Sequence, residues 1–390
     1  MPNKTILSSY FVEYFFKFIF TFINLLFIYK YGIRQNYITV YFVLFFYLII
    51  SGLLLYKDIF KLNFIKKFNL KQYYKILCFL LVSLIFLITF YTDGNSLNVD
   101  RWSAMDVAIR ALLNGEYPYI AVDHMNGRTS NFPGLLILGI PFYLLGNVGY
   151  LQVFAFLILS YTLYKVLKIE NAFRYIVLLL ISPAFWWEIF AISDLMSNII
   201  LVLCFILLVK DSLKKDLFKY PIFLGISSSF LVLTRGVVAI PLTLLLFKDF
   251  WSISFSKKIK FMVSLILTSF LLIGLVIMNC PDKNTLVLYN PLVLQTHYLP
   301  SFVNVFALLL PFYFSYKIKS FHNDFFKASS ILLLFPTFLS FINNWERNGL
   351  EILLKENKFD LSYLSIVIPF ILFEIVSNST PFSPPKNVSH

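Results

Sequence analysis

The chain has 390 residues, of which 59% are hydrophobic and only 14% charged, with a mean hydropathy of +0.78 and a formal net charge of +13. A soluble domain of this size carries roughly a quarter of its residues as charges, so a water-soluble globular enzyme is excluded. The positive charge does not read as nucleic-acid binding, because the lysines sit in short links between apolar runs and build no basic face with interleaved aromatics. Three scattered cysteines, Cys78, Cys204 and Cys280, have neither disulfide nor zinc spacing.

The runs at residues 8–29, 37–56, 76–91 and 261–279 each approach the length of about twenty residues that crosses the hydrocarbon core as a helix. The first lacks a small-residue cleavage site and is followed by YGIRQN, so it is expected to stay as a span. The link at residues 57–75 holds six lysines against one acid, which places it on the cytoplasmic side. The N-terminus is then cytoplasmic as well. The run at 76–91 leads outward to a polar loop, residues 92–131.

That loop concentrates charge: Asp93, Asp100, Arg101, Asp106, Arg110, Glu116, Asp123, His124 and Arg128. Within it residues 101–114 read as an amphipathic helix. Trp102, Met105, Ile109 and Leu112 recur at three-to-four spacing, opposite Ser103, Asp106, Arg110 and Asn114, and Gly115 stops the helix. Such a helix is expected to lie in the membrane interface with its apolar face down.

Residues 132–146 suit a short re-entrant or interfacial piece, interrupted by Pro141, before a single span that ends near Leu167. Next come an outward run at 172–183, an outer AFWWEIFAISD segment, and a return at 195–209. Lys210, Lys214, Lys215 and Lys219 mark an inner link, Arg235 an outer bend, and Lys248, Lys257, Lys258 and Lys260 the next inner link. Outer loops follow at 280–300 and 344–360, with Lys317 and Lys319 inside between them. There is no internal repeat and no separate soluble domain. The expectation is one all-α integral-membrane domain over 1–390, a polytopic transmembrane helical bundle of about 11–13 membrane segments. It comprises two N-terminal spans with their lysine link (1–75), a core (76–250) and C-terminal spans (251–390).

Candidate site residues follow from chemistry and sidedness. A carboxylate at the membrane surface can act as a general base on a hydroxyl or hold a divalent cation such as Mg or Mn, and Asp93, Asp100 and Asp194 are placed to do so. Each has a structural alternative: Asp93 can open a polar turn, Asp100 can cap the 101–114 helix, and Asp194 can cap the run behind it. Asp106 and Arg110 form an i, i+4 pair, and Glu116 and Asp123 read as solvated. In GEYPY, Tyr117 and Tyr119 are either interfacial anchors or a platform for a sugar ring. Arg235 either binds a lipid phosphate or snorkels to the interface. His297 and Tyr298 share the outer compartment with these acids.

NVDRWSAMDVAIRALLNGEYPY followed by SNFPGLLILGIPFYLLG resembles the first luminal or periplasmic loop of the GT-C superfamily, multi-span glycosyltransferases that take sugars from polyprenyl-phosphate carriers. The segment ISPAFWWEIFAISDLMSNIILVLCFIL is similar to the Pro…Asp segment of its mannosyltransferase branches, with Asp194 in the matching place. The likeness covers residues 76–247; the family usually has this loop after its first span, whereas two extra spans come first here, and no tight acid pair stands in it. The resemblance implies a lipid-linked sugar donor, a glycan, lipid or protein acceptor, and one inverting displacement with Asp100 as base. It also implies Arg235 or Arg128 as the cation facing the leaving phosphate, and Arg101, Tyr117, Tyr119, His124, His297 and Tyr298 among the substrate-binding residues. A transporter or lipid flippase, and a lipid-linked glycan polymerase or ligase, are the rival classes.

Overall fold

The computed structural model of the chain describes residues 3–34, 39–56, 69–213, 216–296, 299–356 and 359–377. About 80% of the described residues are helical, and among them there is no strand, only an isolated bridge between Val122 and Arg128. The helices are α1 (Asn3–Gly32), α2 (Val40–Tyr56), α3 (Leu70–Tyr91), α4 (Arg101–Leu113), α5 (Pro133–Leu144) and α6 (Tyr150–Val166). Then follow α7 (Ile169–Leu180), α8 (Pro183–Phe190), α9 (Leu195–Leu213), α10 (Pro221–Val232), α11 (Ala239–Ser252) and α12 (Phe255–Ile277). Two short helices, α13 (Lys283–Leu288) and α14 (Pro291–Thr296), lead to α15 (Ser301–Lys317), α16 (Phe326–Asn348), α17 (Leu350–Lys355), α18 (Ser362–Ser365) and α19 (Ile368–Ser377).

Five of the described helical stretches are long and apolar enough to cross a membrane, up to seven if each of two bent pairs is one span. Five further apolar stretches are shorter, α2, α5, α6 and α10 among them. By length and composition this is a multi-pass helical membrane protein. At the centre stand α9 and α19, which are buried along most of their length. The outward-facing flanks of α3 and α12 carry exposed Phe79, Leu80, Leu87, Phe270 and Leu271, as lipid-facing helices do. Helix α5 has twelve residues, about 18 Å, and is too short to cross alone.

Backbone breaks inside the bundle are satisfied by side chains from other helices. Helices α7 and α8 meet at 67°, with Ser182 as the N-cap of α8 and Pro183 as its first residue. The Asn24 side-chain oxygen, from α1, accepts from the Ser182 hydroxyl at 2.7 Å and from the Ala184 N–H at 3.1 Å. At the turn into α9, where Ile192 adopts a positive φ, the Gln152 amide donates to the carbonyls of Glu188 and Ser193 at 2.6 and 2.9 Å. Without such partners an interrupted helix at membrane depth leaves unpaired backbone groups that cost several kcal/mol each.

The lysine-rich links gather at one end. Lys165 pairs with Asp211 at 3.4 Å, Lys257 with Asp216 at 2.7 Å and Lys327 with Glu374 at 3.9 Å, while the Lys248 ammonium donates to the Ile318 carbonyl at 3.1 Å. The 92–131 loop, the end of α1, the α8–α9 turn, α14 and residues 359–363 gather at the other. The helix at 101–114 forms as expected, but its apolar stripe does not rest on lipid. Met105, Ala108 and Ile109 are buried against Leu135 and Leu136 of α5, which offers denser packing than mobile lipid chains.

Candidate functional site

The loop that follows α3 is shaped residue by residue. Asp93 accepts from the Asn95 N–H at 3.0 Å and caps the 3-10 turn Gly94–Ser96. That turn lies on the Trp102 ring so closely that a Cβ at Gly94 would fall 2.0 Å from it. The Trp102 indole N–H donates to Asn147, whose own amide donates to the Thr89 carbonyl, both at 2.8 Å. Asp100 occupies the N-cap position of α4 but makes no side-chain cap hydrogen bond, so the capping alternative is not realised. Its carboxylate contributes instead to a cavity.

This cavity, about 390 Å³, is lined by Asp100, Arg101, Arg128, Lys30, Arg34 and Asp360, with rings from Tyr31, Trp187 and Tyr363. Its walls come from α1, the 98–101 and 125–130 segments of the loop, α8, α14 and the chain after α17. The lysine pattern predicts the same membrane side for each of these. Burial, partly offset by the adjacent Arg101 charge, raises the Asp100 carboxyl above its ordinary range, and the charges of Asp123 and Asp360 push the same way.

Arg101 is anchored by the Asp360 carboxylate and lies over the Tyr363 ring, 5.3 Å from its centroid. Asp360 in turn accepts from the Ser362 N–H at 2.8 Å. Burial raises its carboxyl, but the Arg101 charge and hydrogen bond and the Ser362 donors outweigh that and hold it below the usual carboxylate range. Lys30 donates to the carbonyls of Leu353, at 3.3 Å, and Phe359, tying the end of α1 to the same strap of chain. Arg128 stacks over Tyr289 at 4.1 Å and remains exposed.

Several residues expected to face substrate are engaged with other groups of the protein. Asp194 and Arg235 are buried and bonded to each other, with the Arg235 Nε 3.1 Å from the carboxylate and its Nη2 donating to Asn131 at 2.8 Å. A guanidinium whose charge is met by its own carboxylate is not held in reserve for a phosphate, and Asp194 is not an isolated helix cap. Tyr117 and Tyr119 offer no sugar platform. They are buried edge to face, 5.3 Å apart, in a cluster with Val276, where the Tyr117 hydroxyl donates to the Tyr289 carbonyl at 3.3 Å.

His124 braces the loop, its ring nitrogens 2.5 Å from the Ser103 hydroxyl and 2.8 Å from the Leu97 carbonyl. Asp123, read as solvated, is buried and accepts from the N–H groups of Met125 and Gly127 at 2.8 and 2.9 Å, closing the turn that carries Arg128. His297 and Tyr298 lie outside the described residues.

As metal ligands the three aspartates do not assemble: Asp93 caps its turn and Asp194 is bound to Arg235. Among the described residues no group of three His, Cys, Asp or Glu side chains could hold a cation. Sequence reasoning missed Asp360, Lys30, Arg34, Tyr31, Trp187 and Tyr363. Their one signal was position, since all lie in or beside segments assigned to the side of the 92–131 loop. No protein-family model, curated protein or solved structure matches the chain.

Proposed function

We propose that the protein is a GT-C-like glycosyltransferase that moves a mannose-like hexose from a polyprenyl-phosphate carrier to a lipid, glycan or protein acceptor on the extracytoplasmic side. The observation that carries this reading is the cavity itself. One carboxylate not used as a helix cap, Asp100, stands there among four cations and the rings of Tyr31, Trp187, Phe359 and Tyr363. Aromatic faces suit the apolar faces of a sugar ring, guanidinium groups suit a phosphate, and a carboxylate raised above its ordinary range suits a general base.

In that reaction the acceptor oxygen attacks the anomeric carbon and its proton passes to Asp100. The bond from that carbon to the phosphate oxygen breaks, and the carrier leaves as its phosphate anion with the bonding electrons. One displacement inverts the anomeric centre. Arg128 and Arg34, which line the cavity, would balance the departing charge. The Arg101–Asp360 pair fixes the floor, and Arg235 acts on the scaffold with Asp194. The N-terminus would be cytoplasmic, with about 11–13 membrane segments carrying the carrier's tail near the outer leaflet.

A transporter or flippase is the second reading, favoured by the broken pair α7–α8, a device that transporters use at their binding sites. A lipid-linked glycan polymerase or ligase would work on the same donor chemistry. The test is transfer of radiolabelled sugar from polyprenyl-phosphate donors in membranes carrying wild type, Asp100→Asn or Asp194→Asn at equal insertion levels. Loss of about 10²–10⁴-fold in Asp100→Asn supports the base assignment. No transfer by wild type across a broad donor and acceptor panel sinks the enzyme reading in favour of transport.

A further inference from the structure

A second cavity lies away from the Asp100 site. It is about 380 Å³, bounded by α10, α11, α12 and α15, and its lining is almost wholly apolar, with Val232, Leu242, Phe247, Phe250, Leu265 and Phe312 among the wall residues. Along α11 it runs from Ala239 to Phe250, eleven residue steps or about 16 Å of helix. The hydrocarbon core is about 30 Å thick, so this length matches the depth of one leaflet.

At the Phe250 end the groove meets a basic rim. The Lys258 ammonium sits 5.9 Å from the Phe250 ring and 5.3 Å from the Trp251 ring and donates to the Trp251 carbonyl at 3.0 Å. Lys248 and Lys260 are exposed on adjoining turns of α11 and α12, the Lys248 ammonium donating to the Ile318 carbonyl, and Lys317 ends α15 over Tyr313. The carboxylates at this end include Asp216, which is met by Lys257 at 2.7 Å, Asp249, and Asp324, which accepts from the Lys319 N–H at 2.9 Å. The balance is positive. Trp251 is exposed at the same level, where an indole ring favours the headgroup boundary.

We propose that this groove is a binding site for an anionic phospholipid of the leaflet at the lysine-bearing end, with one acyl chain between α11 and α12 and the phosphate at Lys248, Lys258 and Lys260. Charge complementarity selects the headgroup and the leaflet-deep apolar wall takes the chain. Basic pockets between transmembrane helices bind acidic headgroups in this manner. The inference is independent of the sugar-transfer reading, because the two cavities share no lining residue.

The test is quenching of tryptophan fluorescence in the full chain reconstituted in vesicles. Phosphatidylglycerol or phosphatidylcholine with brominated chains is compared at equal mole fraction, and a Trp251→Phe variant gives the contribution of that ring. Trp251 should be quenched preferentially by the anionic lipid, with an apparent affinity about fivefold lower for each lysine removed in Lys258→Ala and Lys260→Ala. Raising the salt concentration with wild type should erode the same preference, which keeps the test decisive where a lysine variant inserts poorly. Thr243→Phe, which fills the groove wall, should lower quenching by both lipids while leaving the lysines in place. Equal quenching by the two lipids in wild type at low salt overturns the proposal.

Discussion

The Arg101 guanidinium is held by the carboxylate of Asp360, 259 residues further along the chain. The first residue of α4 is thereby joined to the strap that precedes α18, and the two ends of the sequence close one cavity around Asp100. The pair is largely withdrawn from water, with side-chain exposures of 11% for Arg101 and 27% for Asp360.

Removing one partner strands the other's charge. Asp360→Ala is expected to cost about 3 kcal/mol, the lower end for breaking a buried pair. Arg101→Met with Asp360→Leu should cost less than the single change, because no charge is left unmet. Thermal unfolding of the purified protein in detergent would rank the two. A double variant weaker than both singles would show that the pair is not the unit that matters.

Asp194 and Arg235 form the more deeply buried pair, at 5% and 4% side-chain exposure. Asp194→Ala and Arg235→Ala should each destabilise by about 3–5 kcal/mol. The double variant should fall well short of their sum, with a coupling of about 1–3 kcal/mol. Additive losses in a double-mutant cycle would mean that the two side chains are not mutually dependent.

Asp100 sets a pH dependence with a defined sign. Its carboxyl lies above the ordinary range because it is buried, and as base of the proposed transfer it would have to be ionised, so that activity should fall as pH drops through the raised value. Arg101→Gln removes the charge that opposes the shift and should move the acid limb of the rate profile upward. In stability the two acids act oppositely. The Asp100 contribution is present below the unfolded pKa and lost as pH rises through the raised one. The Asp360 contribution is present above the unfolded value, about 3.9, and lost as pH falls through its depressed folded pKa. A rate profile with its acid limb at the ordinary aspartate value would remove Asp100 from the role of base.

Gly94→Ala tests the loop's seat. The added methyl would meet the Trp102 ring at 2.0 Å, and that ring is pinned through Asn147 to the end of α3. Overpacking of this kind costs about 1–3 kcal/mol. A lowered unfolding temperature is the expected result, while an unchanged one would show that the turn lifts off Trp102 freely.

What the sequence determined by itself was whatever depends on neighbours along the chain. Apolar runs dictate helices because lipid cannot satisfy a backbone, so the all-α bundle and most element positions were readable, and so was the stop of α4 at Gly115. Lysine placement grouped the segments that share an end of the molecule. Tertiary structure alone decided which charges meet. Nothing in the local pattern of Arg101 points to Asp360, and Arg235 reads as a lone arginine until α9 and the α10–α11 bend bring Asp194 against it. The same applies to the rings: GEYPY offered two tyrosines near the acids, yet packing on Val276 took them and left Tyr31, Trp187 and Tyr363 around the cavity. Helical periodicity fixes which way a residue faces on its own helix. The crossing of helices hundreds of residues apart fixes what it faces, and that geometry is settled only when the whole core packs.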